Sequence, residues 1–263
     1  MRAIYPGMIR STRWTWSLAP AVFLGAALLM TAASRAADSP RAPVVLELFT
    51  SQGCSSCPAA DALLGELAER GDVIALSEHV DYWNYIGWTD RFASEQTTKR
   101  QKAYMHRLGA GYVYTPQLVI DGSRHLVGSD RDAVNRAIET ARDAPGPHLK
   151  VSMTAEANGR VHLSIPAGVL TEPATILLVA LDRQHQTEIT AGENTGRVVA
   201  NHHVVRGFTE IGRYEGKPTS MVLDATSAPK SMQEADGCAV LLQSVRSGAI
   251  VGAGMIWLTP PAS

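Results

Sequence analysis

Cys54 and Cys57 lie three residues apart in the segment ELFTSQGCSSCPAAD, which begins at Glu47. A reduced cysteine that ionises is a nucleophile for disulfides, and two cysteines at this spacing can close a disulfide with each other. The same pair can supply two thiolates to a soft ion such as Cu(I), or act only as a structural cross-link. The spacing therefore leaves three chemistries open: thiol–disulfide exchange, metal handling and a structural disulfide.

The flanking residues predict that the cysteines lie between a strand and a helix. The apolar run 43–49 is typical of a buried strand, and an apolar helical face follows Pro58. Proline is tolerated in the first turn of a helix, where its missing N–H has no partner to lose. We therefore expect a helix that begins near Cys54–Pro58.

A helix N-terminus stabilises a nearby thiolate through its unpaired amide groups and its dipole. Cys54, at the mouth of the predicted helix, is therefore the expected nucleophile. Cys57, about one turn further on, is expected to resolve a mixed disulfide. Ser55 and Ser56 lie between them, and we expect both to tune the reduction potential.

The chain continues with alternating helical and strand patterns up to residue 142. A strand is predicted at 72–80, and a helix capped by Thr89 at 89–109. A hairpin follows at 114–128, and another helix with Ser129 as N-cap at 129–142. The predicted order over 43–142 is β-α-β-α-β-β-α.

This order, with C-x-x-C at the first helix and Thr115-Pro116 before the hairpin, resembles the thioredoxin superfamily over residues 43–142. The wording LELFTSQGCSSCPAAD is also similar to an uncharacterised family of secreted bacterial proteins, domain of unknown function 1223. That similarity continues through GENTGRVVANHHVVRGF in the second half. The expected fold class is thus α/β, with a thioredoxin-like N-terminal domain.

The thioredoxin resemblance implies roles for three further residues. Pro116 would be cis and would face the dithiol, and the backbone of Thr115 would pair with an extended substrate strand. Glu47 would be a buried proton acceptor for Cys57, although an orientation toward a solvated sheet edge is equally consistent with its position. Thiol–disulfide exchange needs no bound cofactor, and on this interpretation no residue is expected to bind a metal.

Three features depart from the thioredoxin pattern. Gly53 replaces the usual aromatic residue before the first cysteine, and Ser55-Ser56 replaces Gly-Pro. The segment from the dithiol to Thr115 is also longer, and HVDYWNYIGWTD fills much of it. This aromatic segment either lines a substrate groove or packs over the edge of the sheet.

The second half has a different pattern. The segment 143–147, DAPGP, marks a boundary, and about seven strand-like runs with turn signals occupy 148–263. They predict a β-rich region, sandwich-like and antiparallel, as a second domain or an extension of the first. Adjacent histidines on a strand face opposite sides, so His202 and His203 are not expected to share a metal ion. Cys238 begins an apolar run and is expected to be a buried core thiol.

The N-terminus predicts export. Residues 1–36 combine four arginines, a 16-residue apolar run and a small-residue end, which is typical of a signal peptide rather than a membrane anchor. Without them the chain has 20 basic and 25 acidic residues, a balance that argues against nucleic-acid binding. A periplasmic or secreted location follows, with membrane contact only through an uncleaved signal segment.

The sequence therefore predicts an exported thiol–disulfide oxidoreductase or isomerase acting on protein thiols or disulfides. Two alternatives remain open: a secreted binding protein with a structural disulfide, and a Cu(I)-handling protein.

Overall fold

The computed structural model describes residues 42–224 and 233–258. The predicted signal peptide, residues 1–36, lies outside the described residues, so its assignment stays a prediction. Among the helices in the described ranges, none is long and apolar enough to cross a membrane.

The dithiol segment joins the first strand to the first helix. Three helices, one short 3-10 turn at Asn84–Ile86 and four strands occupy the first part of the chain. In chain order the helices and strands are β1 (Val44–Thr50), α1 (Pro58–Ala68), β2 (Val73–His79), α2 (Glu95–Arg107), β3 (Gln117–Ile120), β4 (Arg124–Val127) and α3 (Arg131–Asp143).

Two of these helices begin later than the sequence pattern predicted. Ser94, not Thr89, caps α2, and its side chain accepts a hydrogen bond from Thr97 N. Asp130, not Ser129, caps α3 by accepting from Ala133 N. The later start of α2 leaves Asp90 in the preceding loop, where it becomes part of a buried polar network.

The second part of the chain is built of strands. Two of them, β8 and β9, are 15 and 17 residues long and pair as one antiparallel hairpin. The strands are β5 (Leu149–Lys150), β6 (Ser152–Ala155), β7 (Arg160–Ile165), β8 (Ala174–Glu188), β9 (Val198–Tyr214), β10 (Thr219–Asp224), β11 (Gly237–Ser244) and β12 (Ile250–Trp257).

The predicted fold class was wrong. Instead of a thioredoxin-like domain followed by a sandwich-like region, nine strands from both parts form one mixed, curled sheet in the order β4-β3-β1-β2-β9-β8-β11-β12-β5. The two parts meet where β2 runs parallel to β9, with Ser77 opposite Val204. Strands β10, β7 and β6 form a separate three-stranded sheet. The boundary proposed at 143–147 stays a prediction.

The two faces of β1 pack against different partners. Leu46 and Leu48 point toward α1 and α3, where they form one apolar core. Val45, on the other face, packs in a second core with residues of β8, β9 and β11. The continuous apolar run in β1 therefore reflects helices on one face and strands of the second part on the other.

Candidate functional site

Cys54 and Cys57 form a disulfide at the entrance to α1. Their Cα atoms are 5.4 Å apart, within the range that a disulfide spans. Cys57 is the N-cap residue of α1, and its carbonyl accepts hydrogen bonds from the amides of Ala60 and Asp61. The pair thus lies where unpaired helical amides favour negative charge on sulfur.

The loop before β3 lies against the first cysteine. Cys54 Sγ is 3.9 Å from the carbonyl oxygen of Thr115, and the Thr115–Pro116 peptide bond is cis, as the resemblance implied. The structure therefore brings four predicted site residues together: Cys54, Cys57, Thr115 and Pro116.

Little of the dithiol itself is exposed to solvent. Ser55 and Ser56 are exposed, whereas Cys54 is only 2% exposed and Cys57 is fully buried. Ile86 covers Gly53, because a Cβ placed there would lie 3.4 Å from Ile86 Cδ1. A second sulfur atom can reach Cys54 only after side chains around it shift.

The structure places Glu47 away from the dithiol. In β1 it alternates with Leu46 and Leu48, so its side chain points to the sheet face opposite α1. There the carboxylate accepts hydrogen bonds from Arg100 Nε and the Tyr104 hydroxyl, both at 2.5 Å. Glu47 is fully buried, as one interpretation of the sequence expected, but it belongs to an ion pair with α2.

A second carboxyl group, Glu78 on β2, shares that buried pocket. Arg100 Nε lies 3.5 Å from its Oε1, and neither oxygen has a hydrogen-bond partner among the described residues. Burial, followed by repulsion from Glu47, raises the pKa of Glu78 well above its usual value. The Arg100 guanidinium therefore lies close to two carboxyl groups, and the folded state favours the protonated form of Glu78.

Asp61 is the buried acid on the dithiol side of the sheet. It lies four residues after Cys57, one helical turn along α1, and helical side chains lean toward the N-terminus. Its Oδ1 accepts a hydrogen bond from Thr50 Oγ1 at 2.8 Å, and Oδ2 has no partner among the described residues. Burial raises the pKa of Asp61 to about 7, an effect that His79 and Thr50 partly offset.

Our sequence reasoning missed Asp61, although the sequence carries a signal for it. The helix after the dithiol is apolar on the face formed by Ala60, Leu63, Leu64 and Leu67. Asp61 adjoins this face, next to Ala60, and a carboxyl group there must be buried against the sheet. The thioredoxin resemblance instead indicated Glu47, in the preceding strand, as the proton acceptor.

A buried histidine–carboxylate pair extends the polar network behind the dithiol. His79 Nδ1 lies 2.6 Å from Asp90 Oδ2, and both side chains are fully buried. Burial disfavours the ionised form of Asp90, but His79 and hydrogen bonds from the amides of Gln52 and Phe92 outweigh it and lower the pKa of Asp90. Asp90 thereby fixes the backbone two residues before Cys54.

The aromatic segment HVDYWNYIGWTD, residues 79–90, which we call the aromatic connector, forms hydrogen bonds to two loops at the dithiol. Trp83 Nε1 donates to Thr115 Oγ1 at 2.7 Å, and Trp88 Nε1 donates to Gln52 Oε1 at 3.2 Å. These two indoles position the loops on either side of Cys54. Tyr85 in the same connector and Tyr112, three residues before Thr115, are 82% and 72% exposed.

The third cysteine, Cys238, and the adjacent histidines His202 and His203 pack against other parts of the fold. Cys238 is buried, as predicted, and burial raises the pKa of its thiol to about 11. His202 packs against Gly65 of α1, and the ring of His203 lies 3.1 Å from the carbonyl oxygen of Ala75. In the part of the chain that the structure describes, no three histidine, cysteine or acidic residues are grouped to hold a metal ion.

Comparison with known proteins finds similar structures but no assigned activity. The chain is 35% identical to protein AGR_C_4864 from Agrobacterium tumefaciens, whose crystal structure superimposes with a TM-score of 0.74 over 86% of this chain and 98% of that one. HBP35 of Porphyromonas gingivalis shares the fold at 15% identity and a TM-score of 0.59, over 86% of this chain and 79% of that one.

No curated protein matches the chain. A family model described as protein of unknown function, DUF1223, matches residues 45–243, a span from β1 to β11 that includes the whole dithiol site. The chain therefore belongs to the DUF1223 family.

Proposed function

We propose that this protein is an exported thiol–disulfide oxidoreductase that exchanges electrons with protein thiols or disulfides through Cys54 and Cys57. One observation carries the proposal: Cys54 Sγ lies at the mouth of α1 and 3.9 Å from the Thr115 carbonyl. Export rests on the N-terminal sequence pattern alone.

Exchange proceeds in two reversible steps. The Cys54 thiolate attacks one sulfur of a substrate disulfide, and the other substrate sulfur leaves as a thiolate that takes up a proton. The Cys57 thiol then loses its proton and attacks Cys54 Sγ. The Cys54–Cys57 disulfide forms, the substrate leaves as a dithiol, and two electrons have passed from protein to substrate. The reverse sequence oxidises a substrate dithiol.

Asp61, not Glu47, is the carboxyl group we propose for the proton of Cys57. It is buried one turn along the same helix, and an acid with a pKa of about 7 can both accept and release a proton near neutral pH. Glu47 faces the other side of the sheet and is held by Arg100. Asp61 therefore replaces Glu47 in the mechanism, while Cys54 and Cys57 keep their predicted roles.

The two serines and the Thr115 loop have supporting roles in this proposal. Ser55 and Ser56 are exposed beside the sulfurs, where their polar groups tune the potential. The backbone of Thr115 offers a docking edge for an extended substrate segment, and Pro116 keeps that edge facing Cys54. Tyr85 and Tyr112 are exposed aromatic side chains in the segments that precede α2 and Thr115, and they offer apolar contact area to a substrate.

The burial of Cys54 favours one competing function. A disulfide that is 2% exposed at one sulfur and fully buried at the other also suits a structural cross-link in a binding protein. In that case the cysteines hold the loop between β1 and α1 and exchange with nothing. Substrate trapping separates the two functions.

The test uses full-length exported protein with Cys57→Ser. In this variant Cys54 cannot be released from a mixed disulfide, so we expect covalent complexes with cell-envelope proteins that a reductant dissolves. Cys54→Ser/Cys57→Ser is the matched control, because it keeps the buried Cys238 and lacks only the nucleophile. Absence of adducts, with Cys54 alkylated no faster than Cys57 in reduced wild type, would reject the oxidoreductase in favour of the cross-link.

A further inference from the structure

The turn between β8 and β9 reaches the dithiol from the second part of the chain. Its base is closed by two backbone hydrogen bonds, from Ile189 N to Arg197 O at 2.9 Å and from Gly196 N to Ile189 O at 2.8 Å. We call residues 189–197 the hairpin tip. The sequence predicted a β-rich region, as a second domain or an extension of the first, but did not indicate which of its turns would lie beside the cysteines.

Asn194 fixes the hairpin tip to the loop that carries Cys54. Its side-chain amide donates to the carbonyl oxygens of Gln52 and Cys54, each at 2.9 Å, and the residue is only 1% exposed. Gln52 in turn donates to Thr187 and Asn201 on β8 and β9. The position of the tip relative to Cys54 is therefore set by hydrogen bonds to two residues of the loop, Gln52 and Cys54.

Glu193, the residue before Asn194, presents a carboxylate at the surface of the dithiol. Its Oε2 accepts a hydrogen bond from the amide of Ser55 at 3.3 Å, one residue after Cys54. Glu193 is exposed, and within residues 42–224 and 233–258 it forms no ion pair with a lysine, arginine or histidine. An exposed carboxylate without a cationic partner among these residues is therefore held at the residue that follows Cys54.

We propose that Glu193 is a specificity-determining residue that favours substrates with a lysine or arginine next to the reacting cysteine. This inference rests on the proposed oxidoreductase function. The carboxylate attracts a substrate cation, and it repels an acidic side chain in the same place. Because Asn194 holds the tip, this charge is fixed in position rather than carried on a free loop.

The size of the effect follows from the exposure of the site. One exposed ion pair changes a binding equilibrium by up to about fivefold. Because Glu193 attracts one substrate and repels the other, the free-energy difference between the two substrates is about twice that of a single ion pair. We expect a peptide with lysine beside its cysteine to react roughly fivefold faster, or more, than the same peptide with glutamate. Screening at 1 M salt, where the Debye length is about 3 Å, should remove most of the difference.

The experiment follows single-turnover reduction of two synthetic peptide disulfides by pre-reduced protein. The peptides differ only in lysine or glutamate beside the cysteine. Wild type should prefer the lysine peptide. Glu193→Gln should lower the lysine-to-glutamate rate ratio to the intrinsic ratio of the two peptides, which is set by the effect of each charge on the leaving thiol. Glu193→Lys should lower the ratio further. Glu139→Gln, which removes an equal exposed charge from α3, should behave as wild type.

The outcomes separate the inference from the proposed function. If wild type reduces both peptides at equal rates, or if Glu193→Gln keeps the wild-type ratio, the specificity role is overturned while the oxidoreductase stands. If wild type reduces neither peptide at any salt concentration, the oxidoreductase itself is rejected and the specificity role with it. A preference that survives in 1 M salt would assign the selectivity to packing instead of to Glu193.

Discussion

At the residue scale, two buried acids near the dithiol differ in their position and in their neighbours. Asp61 lies on the dithiol side of the sheet and Glu47 on the other, although both are buried and both are near in sequence to the cysteines. A carboxyl group near a thiol is useful only if its proton can move, which requires that nothing neutralises it permanently. Asp61 has a hydroxyl neighbour, whereas Glu47 has a guanidinium.

Replacement of Asp61 should stabilise the protein and slow its chemistry. Burial raises the pKa of Asp61 from 3.8 to about 7, so the folded state favours its protonated form. Ionisation of Asp61 therefore opposes folding. The free energy of unfolding is unaffected by it below about pH 4 and falls as the pH rises from about 4 through 7. Asp61→Asn keeps the acceptor for Thr50 without the charge, and it should be more stable than wild type by roughly 2–4 kcal/mol at pH 8.

Denaturant unfolding of the oxidised proteins at pH 5 and pH 8 measures this difference. The gain should be small at pH 5 and large at pH 8, while the exposed Asp132→Asn should show no such dependence. In the same Asp61→Asn protein, resolution of a mixed disulfide by Cys57 should slow by about tenfold or more. An unchanged resolution rate would remove Asp61 from the mechanism.

At the element scale, strand alternation decides which side chains can meet the dithiol. The sequence correctly indicated a strand, a dithiol and a helix, because apolar runs, Pro58 and the cysteines are local signals. It did not tell which face of β1 would receive α1. That choice depends on the second part of the chain, whose strands cover Val45 and leave Leu46 and Leu48 to the helices.

The pocket on the other face of the sheet predicts opposite effects for its two glutamates. Burial and Glu47 raise the pKa of Glu78, so its ionised form opposes folding, and this cost grows as the pH rises above the ordinary value of 4.5. Glu78→Gln should therefore stabilise the protein at pH 8. Glu47→Gln removes the closest partner of Arg100 and should destabilise it by roughly 1–3 kcal/mol.

The double variant Glu47→Gln/Glu78→Gln is the internal control for this pair. It leaves Arg100 without a carboxylate in a buried pocket, and we expect a loss of about 3–5 kcal/mol by thermal or denaturant unfolding. All three variants should keep wild-type rates of thiol exchange, because their side chains lie across the sheet from α1. Stabilisation by Glu47→Gln would show that Glu78, not Glu47, is the main partner of Arg100.

At the scale of the whole molecule, the site is assembled from both parts of the chain. Residues near the cysteines supply the sulfurs, the connector supplies Trp83 and Trp88, and the hairpin tip supplies Glu193 and Asn194. The first of these was predictable because the chemistry and the spacing are local. The last was not, because a turn between two long strands carries no sequence signal for the surface that it will meet.

The same long-range pairing explains the wrong fold class. Alternating helix and strand patterns in 43–142 resembled a complete domain with a sheet of its own. The parallel pairing of β2 with β9 depends on contacts between residues more than a hundred positions apart. The local sequence of neither strand indicates which strand it will pair with. The order of helices and strands is a local property, whereas the nine-stranded sheet depends on the full chain.

The reduction potential of the Cys54–Cys57 pair tests the central claim most directly. Full-length protein is equilibrated with glutathione buffers of known composition, and the oxidised fraction is read by mass after alkylation. If the pair exchanges electrons with protein thiols, its potential should lie between about −120 and −270 mV, the range of known exchange proteins. A value below about −300 mV would mark a structural disulfide and would contradict the account.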